Sequence, residues 1–272
     1  MTDEKTKATS EAREFMALAH RLADASGDII RPLFRTNIES DEKGDKDNRI
    51  SPVTEADRGA ERVMRELIER TFPDHGIIGE EYGRVREDAE CVWVRDPIDG
   101  TDPFLAGLPA WGTLIGMQRN GYALIGMMDQ PFIGERFFGG PDGAFLGSRR
   151  IKTRACASLA EAALSITSLD MLTTDAQRSA FDQIDTQVYT RRLGGDCYNY
   201  SLLAAGCIDL VIEGELGPWD IQSHIPVIEA AGGVITNWRG ESVTAGGWVV
   251  AAGDPRVHEQ ALAYLHEAAP DA

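Results

Sequence analysis

The chain has 272 residues, 43% of them hydrophobic, and this length and composition predict a globular protein with one large domain or two closely packed ones. Lys and Arg together number 27 whereas Asp and Glu number 44, so the formal net charge is −17. Negative charge on this scale disfavours nucleic acid and anionic membrane surfaces as partners.

Three features of the sequence predict a cytoplasmic location. The N-terminal stretch MTDEKTKATSEAREF is polar and lacks the apolar core of a signal peptide. No uncharged apolar run approaches the roughly 18 residues that a membrane helix needs. The cysteines form no CxxC pair and are typical of small buried residues in a reducing compartment. They are Cys91, Cys156, Cys197 and Cys207.

The first half of the chain predicts two helices followed by strands. Apolar residues such as Phe15, Leu18 and Leu22 recur at three- and four-residue steps and indicate a helix over residues 10–34. The charged stretch IESDEKGDKDNRISP has no periodicity and predicts a mobile loop. Thr54 stands three residues before Asp57, as in a capping box that begins a second helix. The runs CVWV, TLIGM, YALIGMM and PFIGERFF then predict paired strands.

The second half alternates between the two periodicities. CYNYSLLAAG, IQSHIPVIEAAG and VHEQALAYLHEA are typical of helices, whereas DLVIEG, GVITNW and WVVAAG are typical of strands. Such alternation predicts a layered α/β unit. We therefore predict two subdomains without a hinge segment. Residues 1–145 would form an N-terminal α+β subdomain that carries most metal ligands, and residues 146–272 a C-terminal α/β subdomain that completes the site.

An acidic motif, VRDPIDGTDPF, occupies residues 94–104. Residues 92–95 predict a strand, so Asp96 falls at its end, where α/β proteins place their sites. Asp96 and Asp99 can converge on one point, and the amides of Gly100 and Thr101 can face an anion if a helix begins there. Carboxylates beside such amides suit Mg²⁺ bridged to a phosphate. The alternative for the bare motif is a polar turn followed by a helix cap.

The surrounding motifs make the chain resemble the inositol monophosphatase family of magnesium-dependent, lithium-sensitive phosphatases. The matches are SPVTEAD, IIGEE, DPIDGT, and WD followed by AGG; they occur in the family's order and span about three quarters of the chain. The resemblance implies an α/β fold of five layers, an αβαβα sandwich of the inositol monophosphatase and fructose-1,6-bisphosphatase type. It also implies a site between the subdomains and a homodimer.

The resemblance further implies where metal ions bind. Glu80, Asp96 and the carbonyl of Ile98 would hold a first Mg²⁺, and Asp96, Asp99 and Asp220 a second. A third, weaker ion would share Glu80, and Mn²⁺ is a possible substitute. Phosphate is an anion and the chain is acidic, so divalent ions are needed to reverse the local charge.

The catalytic set implied by the resemblance is Asp57, Glu80 and Thr101. Asp57 and Thr101 would orient and deprotonate the attacking water, while the amides of Gly100 and Thr101 bind the phosphate. Some of these residues have simpler explanations. Asp57 can be only the far half of a capping box, the Thr101 hydroxyl can cap a helix, and Asp220 can be a plain N-cap.

The stretches between the motifs resemble the histidinol-phosphatase branch of the family. They are PDHGIIGEEYG, FLAGLPAWGTLIGM and GDCYNYSLLAAGCIDLVIEG; Asp102 and Pro103 depart from the branch's pattern. Histidinol phosphate carries an ammonium group and an imidazole, so its pocket needs carboxylates that are not metal ligands. Asp102, Asp196 and Glu213 are the candidates, and by family position the residues near Gly195, Asp196 and Glu213 contact the organic part of the substrate.

Several alternatives stay open at this point. Asp196 can be a helix N-cap, and Asp102 a surface residue in the first turn of a helix. The substrate can instead be inositol phosphate or another small ester, including that of a 3′-nucleotidase-like enzyme. Lys43 and Lys46 both compete for a lysine position of the family, and neither is assigned. A non-catalytic metal- or phosphate-binding protein is the alternative from another class, although no expected ligand is replaced.

Overall fold

The computed structural model describes the backbone of residues 2–36, 40–44 and 50–270, and the side chains of residues 9–36 and 55–270. Its α-helices are α1 (Thr2–Ile30), α2 (Glu55–Thr71), α3 (Thr101–Leu105), α4 (Asp175–Asp185), α5 (Cys197–Ala204), α6 (Pro218–Ile221), α7 (His224–Ala231) and α8 (Pro255–Leu265). Short 3₁₀ helices cover Leu159–Glu161, Leu169–Met171 and His266–Ala268.

The strands fall into a hairpin and two larger sheets. In chain order they are β1 (Ser40–Gly44), β2 (Ile50–Thr54), β3 (Gly76–Gly79), β4 (Gly83–Val85), β5 (Cys91–Asp99), β6 (Gly112–Arg119), β7 (Tyr122–Gln130), β8 (Glu135–Gly140), β9 (Gly143–Leu146), β10 (Arg149–Arg150), β11 (Ala163–Ile166), β12 (Thr190–Leu193), β13 (Leu210–Leu216), β14 (Val234–Asn237) and β15 (Gly247–Ala252).

The first large sheet has the order β10-β9-β8-β7-β6-β5-β3-β4. Only β3 and β5 run parallel in it; the other neighbours are antiparallel. Helices α1 and α2 pack together on one face, where Leu18, Leu22, Met64 and Ile115 share a buried cluster. The apolar stripe of each helix thus meets the inward side chains of the strands, as the helical spacing predicts.

The second sheet has the order β12-β11-β13-β15-β14, and β11 runs parallel to both of its neighbours. Helices α5 and α7 lie between the two sheets, with Leu203, Val227 and Leu114 in one buried cluster. Helices α4 and α8 cover the outer face, where Phe181 and Leu265 are buried. The layers therefore follow the order α, β, α, β, α, which confirms the predicted five-layer sandwich.

Two local predictions were wrong. The first helix ends at Ile30 rather than at residue 34, and hydrogen-bonded turns follow it. The charged stretch predicted to be a loop contributes β1 and β2, which pair antiparallel from Ser40↔Thr54 to Gly44↔Ile50. Pro52 favours extended backbone at the residue before it, which suits a strand. Residues 37–39 and 45–49, with Lys46 among them, and the side chains of Lys43 and Thr54 lie outside the described part.

Three further expectations concern the chain as a whole. The boundary between residues 145 and 146 falls inside β9, and the division into two subdomains stays a prediction. All four cysteines are free thiols; Cys207 is exposed in the turn after α5 rather than buried. Among the described residues, no helix combines the length and the apolar character that crossing a membrane requires.

Candidate metal centre and active site

Three carboxylates converge where β5 meets α6. One oxygen from each of Asp96, Asp99 and Asp220 lies within 4.8 Å of the others. Asp96 is buried, whereas Asp99 and Asp220 are half-buried. Hard oxygen donors this close repel one another unless a cation lies among them, so the donor set fits a divalent ion such as Mg²⁺.

A bulge in β5 lets two of these carboxylates face the same way. The strand does not stop before Asp96 but continues to Asp99, and its register to β6 shifts between Asp96↔Leu114 and Asp99↔Gly112. A step of three residues along β5 thus matches a step of two along β6. In a regular strand residues three apart point to opposite faces, but the extra residue re-aims the second side chain. The N–H of Ile98 donates to Oδ1 of Asp96 at 2.9 Å and fixes that turn.

Gly100 joins this strand to the short helix α3. It has φ 86° and ψ 46°, in the left-handed region, and an added Cβ would lie 2.6 Å from the carbonyl oxygen of Ala110. Helix α3 therefore begins at Thr101 with amides that have no partner further back in the helix. The Thr101 hydroxyl donates to the carbonyl of Ile98 at 3.2 Å, which is a different bond from the predicted helix cap.

Asp220 is held by the start of α6. It is the third residue of that helix, and its Oδ2 accepts the N–H of Gly217 at 2.6 Å. The N-cap position belongs to Gly217, so the plain N-cap alternative for Asp220 was wrong. Burial raises the pKa of Asp220 to about 7; the Gly217 N–H opposes this rise, while the charges of Glu80 and Glu213 add to it.

Two further predicted residues, Asp57 and Glu80, lie close enough to the cluster for their charges to act on Asp96. Burial raises the pKa of Asp96 well above its usual range, and the charges of Glu80, Asp99, Asp220 and Asp57 raise it further. Asp57 is buried in the first turn of α2, and Glu80 is half-buried directly after β3. The structure thus brings both within electrostatic reach of Asp96, although neither belongs to the three-oxygen cluster.

The organic side of the site begins at Glu213 on β13. This carboxylate is buried, and its Oε1 accepts from the N–H and hydroxyl of Thr167 at 3.1 and 2.6 Å and from Asn199 at 3.1 Å. Its Oε2 accepts from the Tyr200 hydroxyl at 2.8 Å. Burial raises the pKa of Glu213, and these hydrogen bonds oppose the rise. Sequence reasoning missed these contacts: Asn199 and Tyr200 stand in the stretch GDCYNYSLLAAGCIDLVIEG, but nothing in it indicates that they bind Glu213, and Thr167 stands in no recognisable motif.

Asp196 precedes α5 with an unusual backbone. Its φ of 46° and ψ of −133° are rare for a residue with a side chain, and its N–H donates to the hydroxyl of Thr167 at 3.1 Å. It occupies the N-cap position but its side chain makes no cap hydrogen bond, so capping does not explain it. Burial raises its pKa to about 7, with added contributions from Glu213 and Asp102.

Asp102 and Gly195 complete the predicted set. Asp102 is exposed in the first turn of α3, as the surface-helix alternative predicts, yet its charge reaches Asp196. Gly195 has φ 117° directly before Asp196. A cavity of about 40 Å³ lies between the three-carboxylate cluster on one side and Glu213 and Asp196 on the other. The carboxylates in its lining are Asp99, Asp196, Glu213 and Asp220.

Comparison with known proteins gives a consistent result. The model of the inositol monophosphatase family matches residues 11–269. A chloroplastic bifunctional phosphatase, IMPL2 of Arabidopsis thaliana, is 42% identical over 268 residues, covering 94% of this chain and 76% of that protein. A histidinol-phosphatase of Chlorobaculum parvum is 32% identical over 240 residues, covering 87% and 91%.

A solved structure of an inositol monophosphatase from Zymomonas mobilis superposes with a TM-score of 0.83 at 41% identity, covering 93% of this chain and 98% of that one. The family match spans nearly the whole chain, and the five layers and the acidic cluster agree with it. The chain therefore belongs to the inositol monophosphatase family and is a phosphatase of that family.

Proposed function

We propose that the chain is a Mg²⁺-dependent phosphomonoesterase that hydrolyses histidinol phosphate to histidinol and phosphate. The observation that carries this proposal is the negative charge of the cavity beside the metal-type cluster, which is the group of three carboxylates of Asp96, Asp99 and Asp220. Asp196 and Glu213, which are not among the proposed metal ligands, line it beside Asp99 and Asp220, and no lysine or arginine occurs among the described residues of its lining. An ester with a cationic organic part is favoured in such surroundings over a neutral polyol phosphate.

The residues present fit divalent ions. Glu80, Asp96 and the Ile98 carbonyl would hold one ion, and Asp96, Asp99 and Asp220 a second; a third would share Glu80. Divalent ions bound there would neutralise phosphate charge, lower the pKa of a water molecule and stabilise the departing alkoxide. The raised pKa values of Asp96 and Asp99 support this assignment, since burial and like charges leave both carboxylates in need of a cation.

The chain's own groups would bind the ester and move the proton. The N–H groups of Gly100 and Thr101 would donate to the phosphate oxygens at the start of α3. The Thr101 hydroxyl and the Asp57 carboxylate would orient the attacking water, and Asp57 would take its proton. The water oxygen would form a bond to phosphorus while the bond to the ester oxygen breaks. The departing alkoxide would take a proton from solvent water, and Asp57 would return to solvent the proton that it accepted.

Recognition of the cationic part would fall to the second side of the cavity. Glu213 is fully engaged by Thr167, Asn199 and Tyr200, so it would act mainly through its charge. Asp196 makes no cap hydrogen bond and would pair directly with the ammonium or imidazolium group. Asp102, exposed nearby, would add to the negative potential.

Hydrolysis of inositol phosphate is the second candidate. Its support is the 41% identity to the Zymomonas mobilis inositol monophosphatase, which exceeds the 32% identity to the Chlorobaculum parvum histidinol-phosphatase. A 3′-nucleotidase-like activity and a non-catalytic binding protein are further alternatives. A homodimer, a cytoplasmic location and Mn²⁺ as a substitute ion also stay predictions.

The deciding experiment is phosphate release from a parallel panel with Mg²⁺. The panel is histidinol phosphate, myo-inositol 1-phosphate, adenosine 3′,5′-bisphosphate and fructose 1,6-bisphosphate, each with the native protein and with Asp99→Asn. We expect histidinol phosphate to lead and Asp99→Asn to be inactive. A lead for inositol phosphate would keep the metal site and reject the cation argument, and no turnover at all would favour the non-catalytic alternative.

A further inference from the structure

A buried carboxylate behind the metal-type cluster has no part in the reaction described above. Glu61 lies on α2, one turn after Asp57, and its side chain is 0% exposed. Its Oε2 accepts the N–H of Glu81 at 2.8 Å, and its Oε1 accepts the N–H of Tyr82 at 3.0 Å. A carboxylate buried this deeply is retained only when hydrogen bonds and cations compensate its charge.

The two amides that bind Glu61 belong to the turn that carries Glu80. Glu81 and Tyr82 follow Glu80 directly, and Gly79 precedes it. Gly79 lies so close that an added Cβ would be 2.7 Å from the carboxyl carbon of Glu61. The carboxylate therefore contacts the backbone on both sides of Glu80, and it limits the directions in which the Glu80 side chain can point.

Two arginines compensate the charge of Glu61. Arg65 donates through Nε at 3.0 Å from the next turn of α2, and Arg95 donates through Nη2 at 3.2 Å from β5. Arg95 is fully buried and stands directly before Asp96. Glu61 thus joins the three segments that carry Asp57, Glu80 and Asp96, which are α2, the turn after β3, and β5.

We propose that Glu61 is a positioning residue that sets the metal affinity of the site through the backbone of the Glu80 turn. The inference rests on the proposed metal-dependent function. Groups behind a metal ligand orient it, and their loss typically weakens metal affinity by about 10- to 100-fold. Glu61 would act in this way on Glu80 without touching the ion or the ester.

The test compares Glu61→Gln with Glu66→Gln. Glutamine keeps the size of the side chain but replaces one acceptor by an NH₂ group, which faces an N–H donor and releases the turn. Glu66 is a matched control on the same helix, because its side chain is 52% exposed and pairs only at the surface with Arg70. Mn²⁺ binding would be measured by calorimetry without substrate, and the Mg²⁺ dependence of phosphate release would be measured alongside.

We expect Glu61→Gln to weaken Mn²⁺ binding by about 10- to 100-fold and to raise the Mg²⁺ concentration for half-maximal activity by a similar factor. Activity at saturating Mg²⁺ should change much less, and Glu66→Gln should match the native protein. A purely structural role would lower the melting temperature and leave Mn²⁺ affinity unchanged, and that result would overturn the inference.

A second variant covers the case in which Glu61→Gln does not fold. Gly79→Ala displaces the same carboxylate from the other side without changing any charge, and we expect weaker Mn²⁺ binding from it as well. A folded Gly79→Ala protein with native affinity would overturn the inference. If the native protein itself binds no Mn²⁺ or Mg²⁺, the proposed function fails. If the native protein binds Mn²⁺ and the variants bind it with the same affinity, only the positioning role fails.

Discussion

The carboxylates on the two sides of the cavity are held by different means. On the β5 side, the backbone positions the carboxylates: a bulge orients Asp96 and Asp99, and the N–H of Gly217 holds Asp220. On the β13 side, side chains hold Glu213, and Thr167 comes from a segment 46 residues away. We expect the first side to control whether any ester is hydrolysed, and the second to control which one.

The largest effect is expected from Asp220→Asn. An amide supplies a weaker donor to a divalent ion, so kcat/KM should fall for every ester of the panel by more than about 100-fold. Phosphate release at saturating Mg²⁺ measures it. A loss confined to one ester would show that Asp220 belongs to the recognition side instead, and the comparison of the two sides would break.

Glu213→Gln should lower stability, in addition to removing the charge that Glu213 contributes to recognition. The introduced amide cannot accept from all of the donors that Thr167, Asn199 and Tyr200 direct at this position, and one of them would face an NH₂ group. Loss of a buried hydrogen-bond partner costs about 1–3 kcal/mol, so the free energy of unfolding should fall by that amount. Urea denaturation of the metal-free protein measures this change, with Glu215→Gln, at an exposed position of the same strand, as the control. An unchanged midpoint would show that the network does not stabilise the fold.

Asp196→Asn should separate the substrates. The variant loses the charged partner of the substrate's cationic group. The KM for histidinol phosphate should therefore rise by about tenfold. The KM for myo-inositol 1-phosphate should stay unchanged, because that ester has no cation. Equal changes for both esters would contradict the assignment of Asp196 to cation recognition.

The smallest effect is a pH dependence of that same recognition. The pKa of Asp196 is raised to about 7, so its ionised fraction falls from about nine tenths at pH 8 to about one tenth at pH 6. The tenfold advantage of the native protein over Asp196→Asn should therefore shrink to about twofold as the pH falls through this range. The ratio of the two KM values cancels the titration of the substrate itself; a ratio that is constant from pH 6 to 8 would contradict the raised pKa.

The two sides also differ in how far the sequence could predict them. Asp96, Asp99, Gly100 and Thr101 lie within six residues, so the sequence alone could place them near one another. The alternation of helix and strand patterns predicted a layered α/β unit, and the family resemblance implied the order of the five layers. Helix α4 was missed because it is mostly polar, although Thr174 and Gln177 form a capping box at its start.

The remaining errors arise from contacts between distant segments. Nothing near Thr167 in the sequence indicates that it meets Glu213, because β11 and β13 become neighbours only when the second sheet forms. Arg95 in an apolar strand was a visible signal of a buried partner, but Glu61 is 34 residues earlier. The bulge in β5 was equally hidden, since it depends on the register with β6.

The backbone of Asp196 has an evolutionary consequence. A residue with a side chain in so sparsely populated a conformation costs on the order of 1–3 kcal/mol, and glycine would relieve that strain. Replacement by glycine at this position would relieve the strain, and under the proposed function it would be opposed by selection for a cationic substrate. The residue found here in a lineage should therefore report whether a cationic ester is still being selected for, and its replacement by glycine should mark the loss of that selection.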